Sequence, residues 1–369
     1  MKPWTYAVWV GVALLPIVGL FGYLSLSRTS PLLTVATWAG PYGNAQARAM
    51  LQPFGNRSGA DMRVSIYDGG TVDLARVVAS KRYDWDVIDL ELPDAVAACH
   101  QGLLEPMDAS SLPPGPDGEP PQSDFAPGAL GPCWIGSVIY SQVIAYDPHH
   151  LTGVAPTTIA DFFDLQRFPG KRAMHRSSGK LNLEMALLAD GVPPAQVYDT
   201  LSTPQGIDRA LAKLSTLQGN LVWWTDNDPP WLILSDGRAA MSTILNGDIF
   251  DAATHGTRLG VVWDRQLYEF EAFGIPKGDP KRKLAMDFIR FATQAQNLAA
   301  VADWVPYGPA RRSALRYVGM HPELDIEMAQ FLPTEGNRMA TAFAVDDEWW
   351  RLHGADVDAR WQNWLSQQK

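Results

Sequence analysis

Five aromatic rings and five carboxylates stand where the sequence predicts strand ends or loops: Trp38, Tyr42, Trp223, Trp224 and Trp231, with Glu91, Asp226, Asp228, Glu269 and Glu271. A protonated amine leaving water needs its lost solvation replaced. Carboxylates do this by accepting its N–H donors, and ring faces do it through a quadrupole that attracts positive charge. The combination points to a binding place for a small organic cation. Trp38 sits at the end of a strand pattern and just before a glycine turn, where a ring is free to face a ligand. Glu91 and Glu271 stand among apolar neighbours, where a merely solvated charge is out of place; the competing role for each is a salt bridge. Adjacent Trp223 and Trp224 on one strand face opposite ways, so one of them belongs to a core. Glu184 lies near a helix start, where a carboxylate also stabilises the helix dipole.

The sequence has no nucleophile-elbow serine, no His-Glu-x-x-His and no phosphate loop ahead of a Lys-Ser/Thr pair. Cys99 and Cys133, with only His100 beside them, fall short of the four ligands of a structural zinc site, and His149-His150 reads as a solvated turn. The chain therefore reads as a binder that uses no cofactor and no metal, not as an enzyme. A formal net charge of -10 is wrong for neutralising phosphates, so nucleic acid is not an expected partner.

Residues 4–26 carry no charge, between Lys2 and Arg28, the layout of a secretory signal or of an uncleaved membrane anchor. Either one sends the rest of the chain out of the cytoplasm, into the periplasm. An even pair of cysteines in an exported protein reads as a disulfide, with two buried free thiols as the alternative.

Hydrophobic periodicity supplies the elements that position these side chains. Strands are expected over 32–38, 62–66, 86–90, 133–146, 171–175, 221–224 and 239–245, with a further β-rich pair at 259–263 and 269–276. Helices fit 45–54, 74–80, 159–163 and 182–189. Ile207, Leu211, Leu214 and Leu217 make a 3.6-residue stripe opened by Ser202 and Pro204, and Leu284, Phe288, Phe291 and Ala292 mark another helix. Residues 111–122, with five prolines and two glycines, read as a surface loop. The β-α-β order predicts parallel sheet flanked by helices.

In this setting the chain resembles bacterial solute-binding proteins of the spermidine/putrescine-binding type, with the type 2 periplasmic-binding-protein fold. The resemblance is carried by Thr37-Trp38 with Tyr42, by residues 83–88 (YDWDVI), 102–105 (GLLE), 168–171 (FPGK) and 236–241 (DGRAAM), by Ile275-Pro276, and by 285–289 (AMDFI). It implies a two-lobed α/β protein, each lobe a mixed, mostly parallel sheet, acting as a monomer with ABC permease and ATPase subunits. It implies a cleft lined by Trp38, Tyr42 and Glu91, by Glu269 and Glu271 from hinge strands, and by Tyr307 near a later crossing. Glu271 is the leading cation anchor, and Glu184 is the candidate second-lobe carboxylate. The chain departs from the polyamine pattern at Ile244-Leu245 and at Glu269, where that family tends to present tryptophans.

The expected division is 1–30 signal or anchor, 31–142 and 269–306 first lobe, 143–268 second lobe, and 307–369 second lobe or bracing helices. The expected function is capture of a small cationic, polyamine-like solute for an importer. An amino acid, opine or carboxylate is the alternative solute, with Arg172 or Arg176 then the anchor. A secreted enzyme or a membrane-anchored sensor on the same scaffold is the alternative of another class.

Overall fold

The computed structural model describes residues 30–368 other than Thr152 and Asp226, so the 1–30 signal or anchor falls almost wholly outside the described residues. Among the described residues no helix is long and apolar enough to cross a membrane. Eight strands form the path of one mixed sheet: β1 (Leu32–Thr37), β2 (Asp61–Ile66), β3 (Val87–Glu91), β4 (Ile135–Tyr146), β5 (Arg172–His175), β6 (Leu221–Trp224), β7 (Met241–Leu245) and β8 (Gly260–Gly274). Their order is β2-β1-β3-β8-β4-β7-β5-β6. The outer groups are parallel, β1 with β2 and β3, and β5 with β6 and β7. β8 and β4 between them run antiparallel to each other and to their flanking neighbours β3 and β7.

β4 and β8 are the longest strands because each spans two cores. Ile135, Val138 and Ile139 of β4, with Phe270 and Phe273 of β8, pack in the first core beside β1, β3 and the helix Arg282–Ala292. Ile144 of β4 and Val262 and Leu267 of β8 pack in the second core, with the helices Asn182–Ala189, Pro204–Ser215 and Asp347–Ser366. Two lobes with separate cores follow, joined by strands that belong to both. After residue 307 the chain begins in the first core, with Ala310 and Ala314, and enters the second at Phe343.

Three local readings change. Residues expected as two β pieces, 259–263 and 269–276, form the single strand β8, with Arg265 at φ 50 and the register to β4 shifting between Gln142 and Ile144. An irregular, polar stretch inside a strand reads as a break in sequence although the ladder continues on both sides. The buried stripe of helix Arg282–Ala292 is Ala285, Phe288, Ile289 and Ala292, one step round from the expected face, with Leu284 and Phe291 at its margin. The helix Pro204–Ser215 is capped by Thr203, whose hydroxyl accepts from the Gly206 N–H at 3.0 Å, not by Ser202. Ser202 is engaged elsewhere, accepting from Trp349 Nε1 at 2.8 Å.

Cys99 and Cys133 form a disulfide that ties the helix Leu92–His100, which follows β3, to the start of β4 across 34 residues. Closing a loop of that length removes unfolded-state freedom worth about 2–4 kcal/mol. The double variant Cys99→Ala/Cys133→Ala is expected to lower the calorimetric midpoint by several degrees, and reductant should do the same to the wild type. Equal midpoints with and without the bond would show that it contributes nothing.

Candidate binding cleft

The carboxyl ends of β1, β3 and β7 converge, the place where open α/β sheets hold ligands. Trp38 follows β1. Gly40, at φ 81, turns the chain so that Pro41 can start the helix Pro41–Gln46. Gly43 then lies against the Trp38 carbonyl so closely that a Cβ would come within 2.1 Å of its oxygen, so only glycine fits. Glu91 ends β3, and antiparallel pairing sets it opposite Glu271 of β8. Trp38 Nε1 donates to Glu271 Oε2 at 2.9 Å, fixing ring and carboxylate together.

These groups open on a cavity of about 520 Å³ walled also by Tyr42, Tyr140, Trp304 and Tyr307. Tyr42 and Tyr307 meet edge to face at 5.4 Å between centroids, and the Arg48 guanidinium covers the Trp304 ring at 4.3 Å. The facing wall is the start of the helix Asn246–Thr254, with Gly247, Asp248, Phe250 and Asp251.

Behind the wall, fully buried Asp89 accepts from Gln46 Nε2 at 2.9 Å, and the Ser137 hydroxyl lies 3.3 Å from Asp89 and 3.0 Å from the Glu271 carbonyl. Gln46 Nε2 also lies 2.9 Å from the Tyr42 hydroxyl. Burial raises the Asp89 carboxyl despite these hydrogen bonds. Burial, followed by the charges of Asp89 and Glu91, holds Glu271 well above the usual carboxylate range. Burial, then Glu269 and Asp94, push Glu91 up to about 6, while Lys180 pulls it the other way. Among the described residues no cation pairs with Glu91 or Glu271, and no lining residue is Lys or Arg. The cleft therefore presents two adjacent carboxylates that a positive charge from outside would relieve.

Of the side chains singled out in the sequence, Trp38, Tyr42, Glu91, Glu271 and Tyr307 share this cavity. Glu269 does not line it; Lys180 Nζ bonds it and also reaches Asp347 at 2.7 Å. Glu184 is fully buried in the second lobe, accepting from Trp350 Nε1 at 2.6 Å and from the Tyr198 hydroxyl at 3.1 Å, and burial pushes it to about 7. Trp223 packs on Trp361 and Trp364, Trp224 on His175, and Trp231 donates to Asp251 at 2.9 Å. Arg172 is fully buried, its guanidinium donating to the Phe162, Gly170 and Phe168 carbonyls. Asp228 accepts from Thr225 within a turn, and Asp226 is outside the described residues.

Tyr140, Asp248 and Trp304 were missed. Tyr140 lies in the middle of a long predicted strand, away from any strand end or turn, and gives no signal, whereas Asp248 follows Asn246-Gly247 at a predicted strand end and was open to the same reading as Glu91. A larger groove, about 890 Å³, runs between the helix Leu92–His100 and residues 342–348, but holds none of the side chains proposed from sequence for the cleft.

The geometry has known counterparts. The model of the bacterial extracellular solute-binding protein family matches residues 49–325. A gamma-aminobutyric acid-binding protein of Pseudomonas aeruginosa is 35% identical over 352 residues, covering 95% of this chain and 96% of that protein. Among solved structures, the Atu4243–GABA receptor is 27% identical with a TM-score of 0.73, over 90% of this chain and 97% of its own. An ABC transporter substrate-binding protein from Bradyrhizobium japonicum is 27% identical with a TM-score of 0.75, over 91% of this chain and 99% of its own. These relatives are named for binding a solute or substrate. With a matching fold and a ligand-sized cleft between its lobes, the chain belongs to the bacterial extracellular solute-binding protein family.

Proposed function

We propose that this protein captures a small organic solute carrying one protonated amine, of the ω-amino-acid class to which gamma-aminobutyric acid belongs, and hands it to the permease of an ABC importer. The observation that carries this is the Glu91–Glu271 pair, which faces an aromatic cavity with no cation of its own among the described residues. The ammonium lies between the two carboxylates, the methylene chain packs on Trp38 and Tyr42, and the hydroxyls of Tyr140 and Tyr307 are free to meet the solute's polar far end. The relative named for gamma-aminobutyric acid supports this class over the polyamine class expected from the sequence.

Asp248 and Asp251 on the facing wall are the observation that favours a polyamine. Both have other work, which weakens that reading. Asp251 accepts from Trp231 Nε1, with the His255 ring 3.4 Å away, and Asp248 accepts from the Leu245 backbone N–H. The lobes, drawn as 31–142 with 269–306 against 143–268 with the tail as brace, close over the solute, and the closed form is what the permease meets. The protein works in the periplasm, exported by the segment before residue 31.

Removing one charge from the pair leaves the ammonium short of a charge-assisted hydrogen bond worth about 1.5–3 kcal/mol. Isothermal titration of Glu271→Gln with gamma-aminobutyric acid should therefore show affinity lower by roughly 10- to 100-fold; unchanged affinity removes the pair as the amine site. Because Glu91 titrates near 6 and Glu271 above the usual range, wild-type affinity should fall as pH drops through about 6, with protons released on binding near neutrality. Calorimetry in buffers of different ionisation enthalpy reads this directly.

The same shifts set the stability of the solute-free protein. Glu91 and Asp248 titrate near 6 and Glu184 near 7, so the folded state holds more protons than the unfolded chain between about pH 4.5 and 7. Stability then decreases as pH rises through that window. The thermal midpoint should be higher at pH 5.5 than at pH 7.5, and Glu184→Gln should flatten the slope without altering solute affinity. A midpoint that climbs with pH would contradict these assignments.

A further inference from the structure

Glu269 and Glu271 are two residues apart on β8 and so face the same side of the sheet. Glu91 stands opposite Glu271, and Tyr140 of the cavity wall stands opposite Glu269. Three carboxylates thus form one row along the inner face. Glu271 and Glu91 are open to the cavity; Glu269 is covered by Lys180, whose ammonium also reaches Asp347. The covering lysine is held with some effort. Its own N–H donates to Ser178 Oγ at 3.0 Å, Ser178 donates to Asp358 at 3.0 Å, and Leu181 next to it adopts φ 69, ψ -37, a region a non-glycine residue rarely occupies. Lys180 is only 20% exposed and Asp347 only 1%.

We infer that Lys180 is a specificity-determining residue: its ammonium fills the second cation position of the acidic row, so the cleft accepts one positive group from a solute and disfavours a diamine. This rests on the amine-binding reading above and narrows it. A lysine with a free stem and a surface partner would be an ordinary ion pair. One buried between two carboxylates, in line with an uncountered pair, occupies the position that the far ammonium of a diamine would otherwise take. The charge of Lys180 is also felt at Glu91, where it opposes the upward push of burial and of Glu269.

Gamma-aminobutyric acid and 1,4-diaminobutane have chains of similar length and differ in having a carboxylate or a second ammonium at the far end, so they separate the alternatives. Titration at pH 7.5 should show the wild type preferring the amino acid. Lys180→Met should bind the diamine at least tenfold more tightly than the wild type does, and Lys180→Met/Glu269→Gln should lose that gain. If Lys180→Met fails to fold by circular dichroism, Lys180→Met/Asp347→Asn keeps the Glu269 position with less buried charge and carries the same expectation. A folded variant whose preference is unchanged, or a wild type that binds both compounds equally, overturns the role of Lys180. A wild type that binds neither compound overturns instead the solute class on which it rests.

Discussion

Strand pairing sets Glu91 directly across from Glu271, and a sheet that places two carboxylates face to face in a half-dry wall has built a deficit into itself. Like charges directly opposite one another destabilise a sheet, and burial adds the cost of desolvating each. The surroundings hold the pair in place without neutralising it. Trp38 donates one hydrogen bond to Glu271, and the Gln46–Asp89–Ser137 set behind the wall fixes the strand ends. The remaining deficit takes the form of raised proton affinity, which a bound cation can replace.

The position of the pair matters as much as its charge. Glu271 lies on β8, and β8 and β4 are the strands shared by both cores. In the proposed closure a group on a shared strand keeps its place, and residues of the opposite wall, such as Asp248 and Phe250, face it across the cavity. Under the proposed function, a solute that supplies positive charge stabilises the closed arrangement through its differential affinity for it. Lys180 shows how the protein meets the same problem internally: where Glu269 and Asp347 come together, it provides its own cation.

Much of the fold was legible because its strands and helices are written in period. The strands 32–37 and 221–224 and the helix 182–189 fall on or within a residue of the positions their apolar patterns predict. The errors have a common cause. Arg265 makes a continuous strand look like two, and in helix Arg282–Ala292 neighbouring apolar residues leave the choice of buried face to the partner it packs on. Trp38, Tyr42, Glu91 and Glu271 of the cavity were also legible through ring and acid types at strand ends, and Tyr307 through the family resemblance. Glu184 and Trp223 were as plausible on composition, yet one is hydrogen-bonded inside the second core and the other packs on the last helix.

The sequence by itself determined the α/β class, the acidic and aromatic residue types offered to the cleft, and the lack of catalytic motifs, since these follow from residue type and local spacing; the two-lobed form came with the family resemblance. Tertiary structure alone decided which acids are free. Glu91, Glu269 and Glu271 look alike in sequence, but Lys180 lies 89 positions from Glu269 and Asp347 lies 167 from Lys180. Whether a carboxylate meets a lysine, an indole N–H or an open cavity depends on which distant segments the sheet brings beside it. Charge and hydrogen bonding act over a few ångströms in space, and that distance bears no relation to separation along the chain.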